Sequence, residues 1–160
     1  MDSLEDGRPG VWILPPLPFA VAILGGWWID RNVLPLTLDA GQIGIVLALA
    51  LIAAGLALFL WTAITLHRHR TTINPYKGAT ALCTDGPFRI SRNPIYLGDW
   101  LLLLGLSLLL RTCWPLTLAP AVWAILRFGV IRQEERHLEE RFGESYRLYR
   151  GRVGRWLWFS

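Results

Sequence analysis

A chain of 160 residues with a formal charge of +4 and a mean hydropathy of +0.38 has room for one domain. With 53% hydrophobic residues and nine Trp, it is too apolar for an ordinary soluble domain or a nucleic-acid-binding module. Several of its apolar runs approach the roughly 20 residues that a membrane-spanning helix requires.

The first ten residues are acidic, with Asp2, Glu5 and Asp6 against Arg8. They lack the basic start and small-residue cleavage site of a secretory signal and are expected to stay in the mature protein. The first apolar run covers about 11–29 and opens on Pro15, Pro16 and Pro18. Proline suits a helix start and not its interior, so a helix is predicted from near Pro18, past Trp28 and toward Leu34. Asp30, Arg31 and Asn32 leave its far end open, and Trp12 suits the interface. The second run, 43–66, is the clearest; Gly44 and Gly55 allow close packing, and His67-Arg68-His69-Arg70 ends it among headgroups. The third run, 95–110, contains Asp99, and the fourth spans 114 to about 130. The short connection Arg111-Thr112-Cys113-Trp114-Pro115 makes them a helical hairpin, and their length predicts that one is kinked or only partly spanning.

Beyond Val130 the period predicts an amphipathic helix with Ile131, Leu138 and Phe142 on one stripe and Glu135 on the same side. Gly143 is placed to end it, and Trp156, Leu157, Trp158 and Phe159 read as an interfacial anchor. The expected fold is all-α: a polytopic integral membrane protein in one domain over 1–160. It has about four transmembrane helices, the last two a hairpin, plus a cytoplasmic C-terminal amphipathic helix. Four spans put Arg8, the loop cations Arg68, Arg70, Lys77, Arg89 and Arg92, and all the arginines from Arg127 to Arg155 on one face. Only Arg31 and Arg111 lie on the other, so the loop and both termini are expected in the cytoplasm. Cys83 and Cys113 then fall on opposite faces, which argues against a disulfide, and neither has metal-ligating neighbours.

Two segments concentrate the candidate chemistry. The first is Gly86-Pro87-Phe88-Arg89-Ile90-Ser91-Arg92-Asn93-Pro94-Ile95-Tyr96-Leu97-Gly98, polar and basic at the mouth of the third run. Asn93 and Pro94 suit the cap and first position of a helix, a structural role that suffices for those two. Arg89 and Arg92 beside that N-terminus form an anion-binding corner, with Tyr96 and then Asp99 following at one-turn spacing. Ionisable groups inside membrane segments usually face an interior or polar cavity; the alternative for Asp99 is an interfacial pair with an arginine. The second segment starts at Glu134-Glu135, one turn past the fourth run. Solvated intrahelical pairs, such as Arg136 with Glu139 or Glu140, explain Glu139 and Glu140 better than Glu134 and Glu135. His67 and His69 read as interfacial. The chain contains no metal motif, phosphate-binding Gly-rich loop or nucleophile elbow.

The first segment, together with Glu134-Glu135, Leu138, Phe142-Gly143, Tyr146 and Tyr149, resembles the two signatures of the isoprenylcysteine carboxyl methyltransferase and phospholipid methyltransferase superfamily. The resemblance covers roughly 71–156. It implies an S-adenosylmethionine-dependent methyltransferase that releases S-adenosylhomocysteine, uses no Rossmann domain and acts on a lipid or lipophilic acceptor. It further implies cofactor contacts at Arg92, Asn93, Pro94, Tyr96, Glu134 and Glu135. With Arg89 and Gly98 of the same segment these are the cofactor-binding candidates, and Arg92, Asp99 and Glu135 are the catalytic candidates. Asn93 stands where the best-characterised eukaryotic members carry His. Asn hydrogen-bonds but does not titrate near neutral pH, and the Asn form resembles the bacterial branch, which implies an inner-membrane location. The alternatives are a relative of the membrane NADPH-dependent sterol-type reductases and a non-catalytic scaffold of the same fold. No nucleic-acid partner is expected, and oligomeric state is left open.

Overall fold

The structure is a computed structural model that describes residues 14–71 and 81–157. The expectations placed on Trp12, Trp158 and Phe159, and the charges of Arg8 and Lys77, lie outside these residues. Among the described residues the helices are α1 (Pro16–Asn32), α2 (Gly41–Arg68), α3 (Pro94–Leu109), α4 (Trp114–Leu126) and α5 (Arg132–Arg150). A 3-10 turn, Gly86–Arg89, precedes α3, and a π turn, Arg127–Ile131, joins α4 to α5.

Helix α1 starts two residues before the expected Pro18, because a proline ring already holds the backbone angle of a first helical turn. Among the described residues, two helical stretches are long and apolar enough to cross a membrane: α2, with 28 residues, and the continuous 37 residues of Trp114–Arg150. At 17 and 16 residues, α1 and α3 are apolar but shorter than the usual span. Pro120 lies inside α4, and the fourth run leaves α-geometry at Arg127, before its expected end near 130.

The chain divides into two compact units. One comprises Leu14–Ala57 and Tyr96–Leu126, that is α1, the first half of α2, most of α3, and α4. Its packing rests on missing side chains. A Cβ at Gly105 would stand 2.8 Å from Ile52 Cγ1 and 2.9 Å from the Ala48 carbonyl oxygen. At Gly55 it would stand 2.9 Å from the Gly98 carbonyl oxygen, so α2 and α3 meet backbone to backbone. Gly26 of α1 meets Pro115 of α4 in the same manner, and Phe19 packs edge-on against Trp100 at 5.0 Å. Asp30, at the ambiguous end of the first run, is a connector: its Oδ1 accepts from Leu36 N (2.8 Å) and Thr112 Oγ1 (2.9 Å). The loop after α1 is thus tied to the α3–α4 turn, a tie completed by Cys113 N donating to the Leu36 carbonyl at 2.8 Å. Outward positions such as Leu24, Ile43 and Val46 are exposed and apolar, which suits lipid and not water.

The other unit holds the described residues of Leu58–Ile95 and Arg127–Ser160. Gly86 has φ +56, and a Cβ there would stand 2.7 Å from Thr65 Oγ1, so the signature opens on the one residue type that fits. His69 Nε2 lies 2.8 Å from Asp85 Oδ1, joining the end of α2 to the start of the 3-10 turn. Gly143, at φ 52 and ψ −123, breaks α5 but does not end it, contrary to expectation; helix resumes and runs to Arg150. The break redirects the charge pairing. Glu139 receives Arg147 Nε and Arg150 Nη1, each at 3.0 Å, in place of the expected Arg136. Along a straight helix eight residues rise about 12 Å, so only the bend brings Arg147 onto Glu139.

Gly105→Val is expected to lower stability by about 1–3 kcal/mol through overpacking against α2. Gly25→Ala, with nothing within 4 Å of its Cβ, is expected to be neutral or mildly stabilising. Thermal unfolding in detergent compares the two.

Candidate functional site

The site grows from Ser91, Arg92 and Asn93, the link between the 3-10 turn and α3. Ser91 is fully buried. Its hydroxyl donates to the Arg155 carbonyl at 2.9 Å and accepts from Asn93 N at 3.0 Å. Asn93 precedes Pro94 as expected of a cap, but its side-chain amide donates to the same Arg155 carbonyl at 3.0 Å. Arg92 N donates to the Gly154 carbonyl at 3.0 Å. Three donors from three consecutive residues therefore hold the tail just beyond α5.

The Arg92 side chain, 6% exposed, turns into the unit. Its Nη1 donates to Glu135 Oε1 at 2.9 Å and to the Tyr146 hydroxyl at 3.1 Å. Glu135 also receives Arg155, with Nε on Oε1 at 2.8 Å and Nη2 on Oε2 at 2.7 Å. This paired geometry is the strong form of a guanidinium–carboxylate contact. One carboxylate thus joins two arginines 43 positions upstream and 20 positions downstream of it. Tyr149, the next aromatic of the second signature, donates from its hydroxyl to the Phe88 carbonyl at 2.8 Å. The two signatures meet through these contacts.

Local electrostatics limits the chemistry available here. Burial, and secondarily the Glu135 charge, pushes the Tyr146 phenol up, and burial does the same to Tyr149; both stay protonated at neutral pH. The bonds to Glu135 hold the Arg155 guanidinium above its ordinary value, so it stays a cation. Burial and the neighbouring Asp85 push the Cys83 thiol up to about 11, which leaves no thiolate nucleophile at neutral pH. His69 holds the Asp85 carboxyl below its ordinary range.

Of the residues marked in the sequence, Arg92, Asn93 and Glu135 come together around Arg155. Arg89 is exposed on the 3-10 turn, and Pro94 begins α3. Glu134 sits next to Glu135 on α5, about 100° around the helix. Tyr96, Gly98 and Asp99 belong to the other unit along α3. There Tyr96 is buried, the Gly98 carbonyl faces Gly55, and Asp99 Oδ2 is buried without a hydrogen-bond partner among the described residues. The arginine partner considered for Asp99 does not occur among them. Cys83 and Cys113 are free thiols. Sequence reasoning missed Ser91 and Arg155 as site residues. Arg155 counted only as one more tail cation, and the signal that could have found it is the unmatched negative charge of Glu135 on an apolar stripe.

Glu135→Ala strands the buried Arg92 cation and is expected to destabilise the protein by about 3 kcal/mol or more. Arg155→Ala removes a more exposed partner and is expected to cost about 1–2 kcal/mol. In a thermal double-mutant cycle, the pair is expected to lose less than the sum of the single losses.

A profile of the phospholipid methyltransferase family matches residues 43–145. The chain is also similar to the cobalt-zinc-cadmium resistance protein CzcN of Cupriavidus metallidurans, at 28% identity over 143 residues. That alignment covers 86% of this chain and 57% of CzcN, so the chain spans less than two thirds of that relative. No solved structure matches the chain. The profile takes in well over half of the sequence, including the Arg92 loop and the start of α5, and the chain belongs to the phospholipid methyltransferase family.

Proposed function

We propose that the chain transfers a methyl group from S-adenosylmethionine to a lipid or lipophilic acceptor at the cytoplasmic face of the membrane. The observation that carries this reading is the clasp of Arg92 on Glu135, which unites the two signature segments of a methyltransferase family around buried charge.

The donor set fits such a cofactor. Arg92 Nε is buried without a partner among the described residues, a spare N–H of the kind that binds a carboxylate. Gln133 Oε1 and His137 Nε2, one helical turn apart on α5, are also buried without partners among the described residues and can serve amino or hydroxyl groups. Glu135 already accepts three hydrogen bonds, so its main task in this reading is to orient Arg92 and Arg155. Glu134 and Asn93 complete the cofactor contacts in this proposal. The assignments of Tyr96, Gly98 and Asp99 rest on the first signature alone.

The chemistry a bound methyl donor supplies is an electrophilic carbon on a sulfonium, open to in-line displacement. Alignment accounts for much of the rate in such a reaction, so fixed side chains matter more than acid–base groups. A carboxylate or thiolate acceptor needs no base. An amine or hydroxyl acceptor must lose a proton, and Asp99 or a glutamate is the candidate base for that case. The acceptor reaches the site from the bilayer, consistent with the apolar outer surfaces of α1 and α2.

Calorimetry of the detergent-purified chain is expected to show S-adenosylmethionine binding, with no effect of NADPH. Arg92→Ala is expected to weaken binding at least tenfold, the loss typical of one charge-assisted contact. Incubating membranes with the enzyme and a deuterated methyl donor, followed by lipid mass spectrometry, identifies the acceptor. A folded wild-type protein that binds no cofactor would sink the proposal.

A further inference from the structure

A cleft of about 460 Å³ opens along α5 and is lined by six arginines and three glutamates. Their pairings divide them. Glu139 takes Arg147 and Arg150, and Glu135 takes Arg155. Arg127, Arg132 and Arg136 have no ion pair among the described residues, and Glu140 is the remaining carboxylate. Arg132 and Arg136 stand at i and i+4, a spacing at which like charges repel. Three unpaired guanidiniums around a concave space call for an anion, and guanidinium geometry favours phosphate.

The position of these arginines selects the source. Arg127 is the first charged residue after the 13 uncharged residues of α4, so the cleft begins where an apolar helix gives way to charge. Phe128, exposed by 57%, lies under the Arg132 guanidinium at 5.7 Å from its ring centre. An exposed aromatic beside a cation is the pairing found where acyl chains meet headgroups. Anionic lipids concentrate at that depth and are drawn to clustered arginines. We propose that the cleft seats the phosphate headgroup of an anionic membrane lipid. The proposal concerns a bound lipid in addition to the methyl acceptor and stands independently of the methyl-transfer reading.

Native mass spectrometry of the full chain in neutral detergent tests it, with phosphatidylglycerol and phosphatidylcholine as probes. Both are phosphodiesters, but only the first carries net negative charge. One phosphatidylglycerol is expected to bind about tenfold tighter than phosphatidylcholine. The double variant Arg132→Gln/Arg136→Gln is expected to lose that preference. Glu140→Gln, which removes the remaining carboxylate, is expected to tighten phosphatidylglycerol binding about threefold or more. A misfolded protein would not gain affinity, so this variant separates the proposal from simple damage. Equal affinity for the two lipids, or an unchanged preference in the double variant, would overturn it. So would displacement of the lipid by millimolar inorganic phosphate beyond a sodium chloride control, which would assign the cleft to free phosphate. Displacement by S-adenosylmethionine would overturn it as well, by giving the cleft to the cofactor.

Discussion

The carboxylate of Glu135, held between Arg92 and Arg155, is the interaction on which the candidate site depends. A half-buried carboxylate costs free energy unless cations and hydrogen bonds replace the water it loses. Here both partners are distant in sequence. Satisfying one charge therefore fixes three separate pieces of chain, namely the Arg92 loop, the start of α5 and the tail beyond it. The backbone repeats the connection, since Ser91, Arg92 and Asn93 all donate to the carbonyls of Gly154 and Arg155.

Much of the polar capacity of the two signatures is already used within the protein. Glu135 accepts three hydrogen bonds, and the Asn93 amide is committed to the tail. Among the described residues, Arg92 Nε, Gln133 Oε1 and His137 Nε2 keep unsatisfied capacity. The division of labour is a charged frame made of Glu135, Arg155 and Tyr146, carrying nearby groups that still have bonds to give. The break at Gly143 extends the same logic along α5, because it returns Arg147 and Arg150 to Glu139, while Arg127, Arg132 and Arg136 have no carboxylate partner among the described residues.

Much of this was legible in the sequence, for identifiable reasons. Apolar runs announced α1 to α4, since a long run with at most one or two charges has few alternatives to a buried or lipid-facing helix. Arg92 and Glu135 stood out because each placed a charge against an apolar stretch. The Arg136 pairing failed because helical spacing was assumed to continue through Gly143, and a positive φ there bends the chain instead. Gly105 passed unnoticed within a leucine-rich run, since only the facing Ile52 and Ala48 give it a purpose. Asp30 looked like a helix terminator and is a tie between two loops.

By itself, the sequence determined the helical class, the order of the helices, the family signatures and which charges were costly enough to need partners. These properties are local: they follow from hydropathy period, turn residues and the cost of burying charge. The tertiary structure alone decided which partner each charge received. Arg155 was one of many tail cations until the chain turned back after α5 and set it on Glu135. Such choices depend on where the backbone goes after Gly143 and Gly151, and a bend of one residue outweighs any pairing rule based on spacing along a straight helix.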